Sequence, residues 1–175
     1  MSRRRPIRST IRTHSEEQET GEGPSPDTLR EAYAHWASGV AVLAVRSGGI
    51  LDAMTVTAFT PVSVEPPLVL VCVHEFAQPL SIIQAEGRFT VSVLPADAQR
   101  TASMVADRFL LSRLPFAPDG DPVLDGALVS FVCRLHAEHP GGDHKILVGE
   151  VERVEFGEDK SPLLYYRRDY HQTTF

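Results

Sequence analysis

Two stretches decide the architecture: ALVSFVCRLHAEH (residues 127–139) and HKILVGEVERVEF (residues 144–156), joined by Pro140-Gly141-Gly142-Asp143. Each alternates apolar and polar side chains, the period of a half-buried strand. The Pro-Gly-Gly-Asp link turns the chain back on itself, so the pair reads as one long antiparallel hairpin. Working upstream, FTVSVL (89–94) alternates in the same way, and LVLVCVH (68–74) and VAVLAVRS (40–47) are β-branched runs. The run LDAMTVTAFTPVSV (51–64) has high β-propensity but contains Pro61. Proline cannot donate to a ladder, which predicts two short strands or one bulged, edge-like strand. Glu65-Pro66-Pro67 makes a stiff extended turn, and LLYY (163–166) is the last predicted strand.

Helices are few. Asp27 is placed to cap a helix through Ala37, with Leu29, Tyr33 and Trp36 on one face. Pro79–Glu86 reads as a short helix closed by Gly87, and Asp97 as the cap of a helix to about Phe109. Residues 110–126 form a Pro/Gly/Asp-rich loop long enough to predict a functional lid or rim. Six to eight strands that do not alternate with helices disfavour a doubly wound parallel sheet. Long antiparallel strands favour a closed barrel, which removes exposed edges.

Composition narrows the class. The chain has 175 residues, 42% hydrophobic and 23% charged, enough for one domain with a core. Residues 1–26 are polar and aperiodic and read as a disordered tail, leaving 27–175 as the folded domain. The tail carries five Arg against four Glu, so the body holds 12 basic and 19 acidic side chains, a balance of −7. Such a body repels phosphate backbones, which argues against nucleic acid as a partner. No segment is apolar enough to span a bilayer, so no membrane is expected. Two cysteines, Cys72 and Cys133, lie in apolar runs and read as buried thiols of a reducing, cytoplasmic compartment.

Neither GxGxxG after a strand nor GxxxxGK[ST] occurs, and CxxC and HExxH are absent. His136 and His139 sit an odd distance apart on a strand, which argues against a metal site. Two stretches carry candidate chemistry. In MTVTAFTPVSVEPP (54–67), Thr55, Thr57, Thr60 and Ser63 offer hydroxyls beside strand backbone, a surface matched to the edge of a flat polar heterocycle. The bland alternative is strand preference for threonine. In GGDHKILVGEV (141–151), Asp143 can orient the His144 ring as a donor to a pyrophosphate or carboxamide. The bland alternative there is a turn aspartate beside a surface histidine.

In order and spacing, several segments together resemble the flavin reductase-like, FMN-binding split-barrel family. They are WASGVAVLAV (36–45), MTVTAFTPVSVEPPLVLVCV (54–73), GRFTVSVL (87–94), the Gln99-to-Phe109 helix, DPVLDGALVSFVCRL (121–135), GGDHKILVGEV (141–151) and SPLLYYRRDY (161–170). The resemblance implies a mainly β fold: a six-stranded antiparallel split β-barrel with flanking helices, forming a homodimer with flavin at the subunit interface. It implies that Met54, Thr55, Val56, Thr57, Ala58, Phe59, Thr60 and Ser63 run along the flavin, and that Asp143 and His144 hold the nicotinamide nucleotide. The implied activity is NAD(P)H:flavin oxidoreduction: direct hydride transfer from NADH or NADPH to FMN or FAD, serving a partner flavin-dependent monooxygenase.

The sequence also departs from the family pattern. Thr57 stands where relatives often carry Asn, and Pro61 where they often carry Ser. Ala77 and Pro79 replace hydroxyl residues that commonly hold the flavin phosphate, leaving His74 and Arg88 as substitute donors. Lost phosphate donors predict weak flavin retention, since each charge-assisted bond is worth about 1.5–3 kcal/mol. They also fit an alternative: a repurposed split barrel that binds flavin or a planar natural-product intermediate without reducing it.

Overall fold

The computed structural model describes residues 23–105 and 107–172, in two compact units divided after Tyr33. In the first unit, helix α1 (Pro26–Tyr33) buries none of its residues. Its cap is Ser25, whose Oγ accepts the Thr28 amide at 3.2 Å, and the expected cap Asp27 pairs instead with Arg30 at 2.7 Å. Pro26 explains the difference: proline favours the first helical position, which makes the preceding serine the cap. The helix ends before Ala37, so Trp36 lies outside it. Most of the tail expected over 1–26 lies outside the described residues, and its last residue begins the helix.

The second unit contains two antiparallel sheets. The larger is built from β2 (Ala41–Ser47), β3 (Ile50–Val56), β4 (Phe59–Ser63), β5 (Leu68–His74), β6 (Arg88–Val93), β7 (Val129–Gly141) and β8 (His144–Phe156), in the order β3-β2-β6-β7-β8-β5-β4. Its two edge strands, β3 and β4, are separated in sequence only by Thr57 and Ala58. A two-residue link cannot span an open seven-strand sheet, since strands lie about 4.8 Å apart. The sheet therefore curls until its edges meet, which makes it a barrel with one seam. It has seven strands rather than six because the 51–64 run breaks at this link.

The predicted hairpin of β7 and β8 is present, with register shifts between Val132 and Cys133 and between Leu135 and Ala137. Each extra residue bends a long strand, as curvature requires. Where the hairpin bends, Gly149 leaves space for Phe89: a Cβ built there would lie 2.5 Å from Phe89 Cζ and 2.9 Å from Cys133 Cβ.

Strand β2 is buried on both faces. Ala41, Leu43 and Val45 join Val56, Val69, Val71, Phe89, Val91 and Leu147 in the barrel interior, with Leu80 and Ile83 from α2 (Gln78–Glu86). Val42 and Ala44 face a second core with Ala53, Leu94, Leu163 and residues of α3 (Gln99–Val105) and of a 3-10 turn at Arg108–Arg113. The predicted single helix to Phe109 is thus a shorter helix followed by a separate turn. The smaller sheet joins β1 (Ser38–Gly39), β9 (Leu163–Tyr166) and β10 (Asp169–Gln172). Arg167 and Arg168, at φ 51° and 64°, form the tight turn between β9 and β10, so the predicted last strand is half of a hairpin.

Candidate functional site

The seam of the barrel carries an open groove of about 510 Å³. Thr57, Ala58, Phe59 and Thr60 form one side, Trp36, Ala37, Ser38 and Gly39 another, and Leu70 and Cys72 complete the lining. Strand β4 is a sheet edge, so only alternate main-chain groups along it bond to β5; Ala58 O accepts the Cys72 amide at 3.0 Å. The remaining groups are available to a ligand edge. Cys72 is the only titratable lining side chain, and burial raises its thiol pKa, so the groove is electrically neutral near pH 7. Edge-strand amides, hydroxyls and an apolar lining fit a flat, uncharged heterocycle with a polar rim, as the isoalloxazine of a flavin is.

The structure divides the sequence-predicted site residues. It brings Thr57, Ala58, Phe59 and Thr60 together in the groove. The Phe59 ring turns inward onto Phe131, with centroids 5.6 Å apart. Met54 and Val56 also belong to the barrel interior. Thr55 Oγ1 donates to Ala102 O at 2.7 Å, so its hydroxyl serves α3 rather than the groove. Ser63 sits at a register shift of β4 and does not line the groove. Arg88 is elsewhere: it borders a small separate cavity, paired with Glu152 at 2.9 Å and Asp121 at 3.2 Å. It does not line the seam groove.

His74 and His144 form a second cluster. They face each other across β5 and β8, their rings edge-to-face at 5.2 Å. His74 continues the outward row of β5 through Leu70 and Cys72, so the cluster extends the face that carries the groove. His74 Nδ1 accepts the Phe76 amide at 3.2 Å, which leaves Nε2 as the protonated nitrogen of the neutral ring. Asp143 Oδ1 lies 2.7 Å from His144 Nδ1, and this hydrogen bond holds the Asp143 carboxyl below its ordinary pKa. The bonded carboxylate fixes the orientation of the His144 ring, leaving Nε2 without this partner.

The 110–126 loop is not a free lid. Arg46 donates to Ala117 O at 2.6 Å and Gly120 O at 3.2 Å, while Thr90 Oγ1 donates to Pro122 O at 2.7 Å. Asp121 also binds Arg153 at 3.1 Å. Composition marked the loop as long but gave no sign of these anchors on distant strands. Sequence reasoning also missed the contribution of 36–39 to the groove, because it placed Trp36 on a helix.

A single-seamed antiparallel barrel with a neutral groove at the seam defines a small split-barrel protein. The family model described as "Flavin reductase like domain" matches residues 33–174. The reductase component of 4-hydroxyphenylacetate 3-monooxygenase from Thermus thermophilus is 43% identical, over 83% of this chain and 95% of that protein. The actinorhodin polyketide dimerase of Streptomyces coelicolor is 39% identical, over 80% of this chain and 82% of that protein. Among solved structures, the Streptomyces globisporus NADH:FAD oxidoreductase SgcE6, in complex with NAD and FAD fragments, superposes with a TM-score of 0.80 at 29% identity, covering 87% of this chain and 97% of that one. The chain belongs to the flavin reductase-like family.

Proposed function

We propose that this chain is an NAD(P)H:flavin oxidoreductase that supplies reduced FMN or FAD to a partner flavin-dependent monooxygenase. The observation that carries the reading is the neutral seam groove beside the Asp143–His144 pair, on a chain 43% identical to a monooxygenase reductase component. A flavin supplies the ring that accepts hydride from a reduced nicotinamide. The chain's own residues do the rest. The outward main-chain groups of the 57–60 edge and the Thr57 hydroxyl would hold the ring edge, and Leu70 and Cys72 would keep water from the part of the ring they contact. His144, oriented by Asp143, donates to the nicotinamide nucleotide. No residue is asked to move a proton, because orienting two reactants can alone remove about 7–11 kcal/mol of barrier.

The groove is open on one side, and the outer face of β5 and β8 beside it presents half-buried Leu68, Leu70, Cys72, Ile146 and Val148. This apolar row supports a homodimer in which a second copy covers the groove. Two free thiols suit a reducing, cytoplasmic setting.

One observation favours a second reading, a barrel that binds a planar natural product without flavin reduction. The helix that follows β5 begins at Ala77 with no side-chain cap, and a relative at 39% identity is named a polyketide dimerase.

An anaerobic mixture of the chain, NADH and FMN separates the two. Reductase activity bleaches the oxidised-flavin absorbance, whereas unchanged absorbance with flavin bound leaves the second reading. In the same assay, His144→Ala raises KM for the nicotinamide nucleotide more than KM for flavin. Equal effects on both would remove His144 from the nucleotide site.

A further inference from the structure

We propose that Trp36 is a positioning residue for the flavin, its indole stacking on the isoalloxazine ring in the seam groove. The proposal rests on the flavin reading above and adds a residue from outside the 54–63 stretch.

Trp36 lines the groove together with Thr57–Thr60, yet it is 79% exposed. A large apolar side chain left so open usually sits on a loose segment or waits for a partner. The segment here is not loose. Ala34 O accepts the Arg167 amide at 2.9 Å on one side of Trp36. On the other side, Ser38 and Gly39 pair with Tyr165 and Leu164 of β9. The β9–β10 hairpin thus fixes the backbone at both ends of a short stretch and holds the indole at the groove. The backbone's conformational cost is thus met before a ligand arrives, and only the side-chain rotation is left to order.

The rest of the groove says what the indole meets. Its other side offers edge-strand amides and hydroxyls, which suit the polar rim of a heterocycle but not its faces. A ligand held only by its rim would pivot, and a stacked aromatic wall removes that freedom. Electron-rich indole pairs well with the electron-poor oxidised isoalloxazine. No charged side chain lines the groove to compete for the ring face.

The test uses the full chain, oxidised FMN and no nicotinamide nucleotide. Flavin emission and visible absorption are followed during titration of the wild type, Trp36→Phe and Trp36→Ala. Trp36 is the chain's one tryptophan, so a signature of indole contact can come from no other residue. In the wild type, bound FMN loses its emission by electron transfer from the indole and gains a long-wavelength absorption shoulder. Trp36→Phe keeps the affinity within a few-fold but recovers emission and loses the shoulder. Trp36→Ala weakens binding by about tenfold, the scale of one ring stacked on an aromatic side chain.

Identical emission and spectrum in the wild type and Trp36→Phe would overturn the proposal. So would loss of self-association in Trp36→Ala with emission unchanged in Trp36→Phe, which would assign the indole to a subunit contact. Failure of the wild type to bind FMN at all would overturn the flavin reading itself, a separate result.

Discussion

At the scale of single residues, Gly149 shows how closely the barrel interior is filled. Any side chain at this position must displace the Phe89 ring and Cys133, both buried. Cys133 has no room to yield; burial pushes its thiol pKa up to about 12, and it packs as a neutral, apolar group. Gly149→Ala is expected to cost about 1–3 kcal/mol through overpacking. It should lower Tm by about 2–12 °C, a shift that differential scanning calorimetry resolves. Flavin affinity measured below the transition should change little, because Gly149 faces the interior rather than the groove. At this scale the sequence was only partly legible. Thr57 and Thr60, picked out as hydroxyls beside strand backbone, lie in the groove lining, although Thr60 Oγ1 also donates to Pro61 O at 3.3 Å. Thr55 follows the same rule but spends its hydroxyl on Ala102 O, a contact across 47 positions that no local pattern announces. Arg88 was selected for its charge, yet its partners Asp121 and Glu152 lie 33 and 64 positions away.

At the scale of elements, alternation marked β6, β7 and β8, and β-branched composition marked β2 and β5. Proline marked the irregularity in the 51–64 run. What stayed hidden was the second half of the terminal hairpin, since Asp169–Gln172 is short and mostly polar. Of the lid or rim that length predicted for the 110–126 loop, the rim fits, since the loop borders two cavities, while the clamps from Arg46, Thr90 and Arg153 argue against a lid. If the clamp rather than a lid describes this loop, Arg46→Ala should speed amide hydrogen exchange over residues 114–126. It should leave the FMN dissociation constant unchanged, because the loop and the seam groove share no lining residue. A weakened flavin affinity in that variant would restore the lid.

At the scale of the whole molecule, the proposed homodimer makes a prediction at the half-buried outer rows of β5 and β8. Val148 lies opposite Leu70 in this face and away from the barrel core. Val148→Glu is expected to turn a dimer into a monomer in sedimentation velocity and to weaken flavin binding at the same time. A variant that remained dimeric would place the subunit contact elsewhere. The barrel class was readable from strand length and from the shortage of helices. The position of its seam was not, because that depends on which strands end as edges.

The seam has a consequence for how such a chain can diversify. Thr57 and Ala58 both link the two edges of the sheet and border the binding groove, so a change in the length of this link would alter both at once. Variation in ligand choice then enters by exchange of side chains, at Thr57 on this border or at Trp36 and Ala37 across the groove, without altering any strand register.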